Sequence, residues 1–211
     1  IYTDVDGVYT ADPRIVPEAS KLPEISYEEM LEMAQLGSKV MHPRSVELGE
    51  AYGMPIMVRS SFNDEPGTLI HKDESMETRK RVRGIAHEKN VCKITLVGVP
   101  DRPGLAAAVF EPLADAGVSV DVIVQNVSVE GATDLSFTVG KTDLSKALKI
   151  VEPVAKRVGA RQVLSADNLG KVSVVGAGIQ GAPGIASTMF KALFDSDINI
   201  QMISTSEIRI T

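Results

Sequence analysis

Pro103-Gly104-Leu105-Ala106 recurs as Pro183-Gly184-Ile185-Ala186, 80 residues later. At the same offset Phe110 falls on Phe190, Leu113 on Leu193 and Asp115 on Asp195. Val118, Val120 and Val122 fall on Ile198, Ile200 and Met202. Upstream, Lys93–Gly98 matches Lys171–Gly176 after a gap of two residues. Self-similarity at a fixed offset marks a repeated structural unit. Here the unit reads as a strand, a loop, a helix and a second strand.

Around the first copy the pattern is strand (91–98), helix (103–116), strand (118–124), strand (135–139), helix (144–158) and strand (161–165). That order, β-α-β-β-α-β, is the ferredoxin-like split unit. The second copy starts the same order with a strand (171–176), a helix (183–195) and a strand (198–203), then stops short of its final strands.

The loop between first strand and helix has the chemistry of a small-molecule site. A proline in the first helical turn forfeits no hydrogen bond, and Gly104 or Gly184 lets a ligand or backbone come close. A helix N-terminus offers free N–H groups to a carboxylate. Asp101, two residues before Pro103, can pair with an ammonium group. N–H groups beside a carboxylate suit a zwitterion, hence a free amino acid; as a plain loop cap, Asp101 would do none of this.

Gly176-Ala177-Gly178-Ile179-Gln180-Gly181 matches the dinucleotide fingerprint in form. The repeat equates it with Val97–Asp101, which lacks the glycines, and no ribose-binding acid follows about 20 residues on. A dehydrogenase is set aside on those grounds.

The N-terminal third has a different grammar. Ile1–Tyr9 reads as a short strand running into Asp4-Val5-Asp6-Gly7, and the prolines at 13 and 17 make 10–23 an extended loop. Ser26-Tyr27-Glu28-Glu29 is a capping-box start to a helix that ends at Gly37. A second helix runs from about Pro43 to Tyr52, with His42 as its cap, before apolar strands at 55–58 and 67–70. Helix and strand alternating imply a layered α/β domain. Residues 71–84, mixed in charge and poor in apolar content, read as a linker.

The bulk properties exclude several classes. A net charge of −6, a pI near 5.2 and 4% aromatics argue against a nucleic-acid partner. No run of eighteen apolar residues is present, so no membrane partner is expected, and no secretory leader opens the chain. The single cysteine, Cys92, allows no internal disulfide and fits a cytoplasmic protein. The 44% hydrophobic content suffices for a core. Both ends begin or stop inside apparent strands, so the sequence reads as a fragment.

Four stretches together resemble the aspartate kinase family. Thr3–Arg14 and Gly37-Ser38-Lys39-Val40-Met41-His42-Pro43 are similar to the two nucleotide loops of the aspartate kinase branch of the amino-acid kinases. Val99–Gly104 and Ser204–Ile210 are similar to its two ACT units. The resemblance implies a C-terminal piece of a layered α/β amino-acid kinase domain (1–70), the linker (71–84), a ferredoxin-like ACT unit (85–168) and a second, incomplete one (169–211). It implies that Thr3, Asp4, Tyr9, Arg14, Lys39 and Val40 contact ATP, bound with Mg2+ as the substrate complex; no tightly bound cofactor and no protein metal site are expected. It implies effector contacts at Asp101, Ala106, Ser119, Val120, Asp121 and Gln125, with Asn199, Ile200, Ser206 and Glu207 in the second copy.

The implied reaction is phosphorylation of the aspartate β-carboxylate, the first step towards lysine, threonine and methionine. Lysine, threonine or both are the implied effectors, and a homo-oligomer or an alpha/beta subunit assembly through the ACT units is the implied partner arrangement. The glycine-rich motif with the catalytic lysine and the aspartate-binding residues are absent from this sequence, so it holds no catalytic residue and is expected to be inactive alone. The competing reading is a non-catalytic sensor subunit. Residues 1–58 weigh against it, because a pure sensor would open near residue 70–85. Another amino-acid kinase, of glutamate or carbamate type, is disfavoured by the ACT repeat.

Overall fold

The structure is a computed structural model, and it describes residues 1–72, 82–126 and 131–211. In chain order the elements are β1 (Tyr2–Thr3), β2 (Glu24–Ser26), α1 (Tyr27–Gln35), α2 (Pro43–Ala51), β3 (Ile56–Ser60), β4 (Thr68–His71) and β5 (Gly84–Glu88). There follow β6 (Cys92–Pro100), α3 (Leu105–Asp115), β7 (Val120–Gln125), β8 (Ala132–Val139), α4 (Leu144–Val158) and β9 (Gln162–Ala166). The last are β10 (Lys171–Val175), α5 (Ile185–Asp195) and β11 (Arg209–Ile210). Two compact units result: Lys89–Lys171, and Ile1–Glu88 together with Val172–Thr211.

The unit of Lys89–Lys171 is a four-stranded antiparallel sheet in the order β7-β8-β6-β9. This is the ferredoxin-like topology that the strand and helix order implies. Alternation along β6 sends Cys92, Ile94 and Leu96 inward, where they meet Leu105, Val109 and Leu113 of α3 and Val151 and Val154 of α4. Phe110 sets its ring edge-on to Phe137 at 5.2 Å between centroids. The register of β6 on β8 slips between Leu96 and Val99, at Gly98 with φ +63°. This bulge turns the strand end away from the regular ladder.

In the other unit β1, β3, β4 and β2 form one sheet in that order. Its core joins Val8, Ile25, Met30, Met33, Val46, Val58 and Ile70 to Ala86 of β5 and Val175 of β10. A second sheet runs β11-β10-β5. In the first copy the central β6 lies between β8 and β9; in the second the central β10 lies between β11 and β5. The strand that precedes the first copy thus takes the edge position of the second. By sequence order residues 85–88 open the first copy, but by hydrogen bonding they belong to the sheet of the second.

Several expectations need correction. Only Tyr2–Thr3 of the first nine residues pairs as a strand. The strand β2 was not anticipated. The expected linker is narrower, since β4 runs through His71 and β5 begins at Gly84; its residues 73–81 lie outside the described residues. Pro103 and Pro183 lie before the helices rather than in their first turn, for the N-caps are Gly104 at φ +87° and Gly184 at φ +98°, a left-handed conformation that a side chain disfavours. Residues 198–203 are not a strand. In the first copy the matching β7 is held by Leu135–Val139. In the second copy Thr205 bridges Ile210, as Gln125 pairs with Leu135 in the first, and Ser204 and Thr211 exchange backbone bonds at 2.9 and 2.8 Å.

Candidate functional site

The segment from Thr3 to Leu22 is an irregular loop that three polar anchors make definite. Thr68, fully buried at the start of β4, accepts the Val8 N–H at 2.8 Å and donates to the Leu22 carbonyl at 2.6 Å. Leu22 N–H closes the loop on the Val8 carbonyl at 2.8 Å. Asp6 accepts from the Tyr9 hydroxyl at 2.9 Å and from Lys21 at 3.3 Å. Burial pushes the Asp6 carboxyl up, but the bonds from Tyr9 and Lys21 outweigh it and hold the group below its ordinary value. Burial, then the bond to Asp6, pushes the Tyr9 phenol up.

Of the residues implied for ATP, Thr3 donates to Asp4 at 3.0 Å, and Tyr9 is committed to Asp6. Arg14 forks onto Asp12 at 3.0 and 2.8 Å. The Arg14 bonds lower the Asp12 pKa to about 2. A phosphate would therefore compete with a carboxylate for this guanidinium. Lys39 is exposed, and among the described residues no carboxylate pairs with it, so its ammonium is open to an anion. Val40 packs against the N-terminal core.

Helix α1 carries the second loop. Its capping box forms in full: Glu29 N–H donates to the Ser26 hydroxyl at 3.1 Å, and Ser26 N–H reaches the Glu29 carboxylate at 3.5 Å. The helix stops at Gly37, where φ is +113° and a Cβ would stand 2.3 Å from the His87 carbonyl oxygen, so no other residue fits. His42 caps α2 by accepting the Arg44 N–H at 3.2 Å, as expected. Among the described residues no three His, Cys, Asp or Glu side chains converge as a metal-binding group.

In the unit of Lys89–Lys171, the bulge at Gly98 aims Val99-Pro100-Asp101 at the start of α3. Asp134 fixes it by accepting the Gly98 N–H at 2.8 Å, and the Asp101 N–H bonds the Gly131 carbonyl at 3.0 Å. Asp101, Ala106, Ser119, Asp121 and Gln125 are exposed and Val120 half-buried, all near the α3 ends or on the edge strand β7. Asp121 is held by Lys171. In the other unit Asn199, Ile200, Ser206 and Glu207 are exposed. Reading the sequence missed Thr68 and Asp134. The signal for Asp134 was available, since a lone glycine inside a strand pattern marks a bulge; for Thr68 there was none, because its partners lie 46 and 60 residues away.

Among the described residues, no helix is long and apolar enough to cross a membrane. Residues 1–60 match a model of the amino acid kinase family, and residues 93–155 and 172–211 match two models of the ACT domain. An aspartokinase of Pseudomonas aeruginosa is 49% identical over the whole of this chain, which covers 52% of it. The chain thus spans about half the length of the curated relatives it matches. The regulatory subunit of aspartate kinase from Thermus thermophilus is 40% identical, with a TM-score of 0.58 over 62% of this chain and 86% of that one. Escherichia coli aspartokinase III, solved with aspartate and ADP, is 28% identical with a TM-score of 0.82. The same enzyme solved with lysine and aspartate is 29% identical at 0.73; in both, 99% of this chain and 46% of that one are covered. Amino-acid-kinase and ACT segments in this order, with this identity along the whole sequence, place the chain in the aspartate kinase family.

Proposed function

We propose that this chain is the nucleotide-binding end and the sensing module of an aspartate kinase that transfers the γ-phosphoryl group of ATP to the β-carboxylate of aspartate. The products are 4-phospho-aspartate and ADP. Residues 1–70 belong to the kinase domain, 85–168 to a first sensing unit and 169–211 to a second. The single observation that carries this reading is the presence, in one chain, of an amino-acid-kinase segment followed by a tandem ACT repeat. The E. coli relative solved with aspartate and ADP, and again with lysine, supports the choice of substrates and of one effector.

Phosphoryl transfer of this kind needs positioning and charge stabilisation more than covalent help. Lys39, exposed and without a carboxylate partner, is the point charge for the phosphates. Thr3, Asp4, Tyr9, Arg14 and Val40 frame the nucleoside and phosphate side, and Arg14 exchanges Asp12 for phosphate on binding. Mg2+ enters with ATP and neutralises charge on its phosphates.

Lysine or threonine binds the first sensing unit, its carboxylate at the α3 N-terminus and its ammonium on Asp101, with Ala106, Ser119, Val120, Asp121 and Gln125 around it. Asn199, Ile200, Ser206 and Glu207 serve the second site, and the ACT units join subunits into an oligomer. The test is assay of the full-length protein. It forms aspartyl phosphate from ATP and aspartate, trapped as the hydroxamate, and titration calorimetry gives heat with lysine or threonine. No hydroxamate would remove the kinase reading, and no heat with either amino acid would remove the sensor reading.

A further inference from the structure

Glu29 is one of the most buried charged residues, 1% exposed, although it sits in the first turn of an otherwise amphipathic helix. A capping box explains only one of its bonds. One carboxylate oxygen also accepts from the Arg83 guanidinium at 3.2 Å, and the other accepts the backbone N–H of Ala177 at 3.0 Å. Arg83 leads into β5, and Ala177 lies in the turn that leaves β10, so both donors belong to the sheet of the second sensing copy. A buried carboxylate is tolerated only when its oxygens are bonded and its charge is paired; here Arg83 pairs the charge at one oxygen and the Ala177 N–H bonds the other.

Three further features tie the same sheet to the same helix. Arg209 of β11 pairs with Glu32 at 3.1 Å. Gly84 at the start of β5 stands so close to Met33 that a Cβ would lie 2.8 Å from the methionine methyl. At the far end of the helix Gly37 lies against the His87 carbonyl of β5. Two residues before His87, the Ile85 N–H donates to the Thr10 carbonyl at 2.7 Å. Strand β5 therefore touches both loops assigned to the nucleotide, at Thr10 and at Gly37.

We infer that Glu29 is a positioning residue: through helix α1 it sets the Gly37–Val40 loop, and hence Lys39, according to the placement of the second sensing sheet. A nine-residue helix is a rod of about 13 Å, too short to bend appreciably. A shift of the Ala177 turn or of Arg83 is passed to its other end rather than absorbed. The inference rests on the reading of Lys39 as a phosphate contact and of the repeat as a sensor.

The test uses the full-length protein with Glu29→Gln and, as a control, Ser26→Ala. Gln keeps the size of the side chain but removes the charge from Arg83; Ser26→Ala weakens the same helix start without touching Arg83 or Ala177. Glu29→Gln is expected to raise KM for ATP by roughly fivefold with kcat and the aspartate KM within about twofold, and to shift the midpoint of effector inhibition by a similar factor. Amide exchange at Gly37–Val40 speeds up in Glu29→Gln alone. Should that variant fail to fold, Arg83→Gln breaks the same pair from the less buried side and should reproduce the pattern. Equal behaviour of the Glu29 or Arg83 variant and Ser26→Ala, or unchanged exchange at Gly37–Val40, would overturn the inference. If the wild-type protein makes no aspartyl phosphate, the kinase reading falls instead, and the exchange comparison alone decides the role of Glu29.

Discussion

Asp197 holds a backbone φ of +55°, in the turn where Gly117 holds +68° in the first copy. The two turns share their bonds: Val118 N–H to the Leu113 carbonyl and Ile198 N–H to the Leu193 carbonyl, each at 2.9 Å. Left-handed backbone costs any residue with a Cβ, aspartate less than most. Asp197→Gly is therefore expected to gain about 0.5 kcal/mol, read from urea unfolding followed by circular dichroism. A loss would mean that the Asp197 side chain does more than occupy a turn. Asp12 carries a second residue-level prediction. Its carboxyl titrates near pH 2 in the folded chain, against an ordinary value of 3.8. A depressed folded value means the Arg14 pairing stabilises fully above about pH 4, and that this contribution fades as pH falls through 2. In Arg14→Ala the Asp12 titration, followed by carboxyl NMR, should move back up towards 3.8. No movement would assign the depression to another cause.

At the level of elements, matched positions in the two copies have different surroundings. Leu113 of α3 is 0% exposed and Val118 5%, whereas Ile198 is 53% exposed and α5 buries none of its residues. The sheet under α3 is four strands wide and shared with α4; the sheet near α5 has three. Truncation in a closed core removes transfer energy and leaves a cavity, while truncation on an open face does neither in full. Leu113→Ala should thus cost about 2 to 5 kcal/mol, and Leu193→Ala about 1 kcal/mol or less, by urea unfolding of this chain. Equal costs would show that α5 is packed as tightly as α3. Element identity was legible beforehand wherever one period ran long, as in the helix ending at Val158, which closes on Gly159 at φ +86°. Strand β2 and strand β5 escaped because three to five residues give too few alternations to stand out. Residues 198–203 alternate like a strand, but alternation creates a strand only where a partner strand offers bonds.

On the scale of the whole molecule the two loops proposed for the nucleotide lie in one compact unit and Asp101 lies in the other. Lys39→Ala in the full-length protein should weaken ATP about tenfold, the worth of one charge-assisted contact. Heats for lysine or threonine without nucleotide should stay within about twofold, and a parallel loss of both would show that Lys39 supports structure rather than phosphate. The sequence by itself determined the tandem repeat, the ferredoxin-like order of the first copy, the capping box at Ser26 and the two loops that resemble a kinase. All of these depend on residues within a few positions of one another, or on a repeated phrase. Only the tertiary structure decided that Gly84–Glu88 completes the sheet of the second copy, that Thr68 fastens the first loop, and that Glu29 bonds Arg83 and Ala177. The physical reason is distance along the chain. Glu29 and Ala177 are 148 residues apart, and a capping glutamate reads the same in sequence whether its free oxygen faces water or a buried N–H.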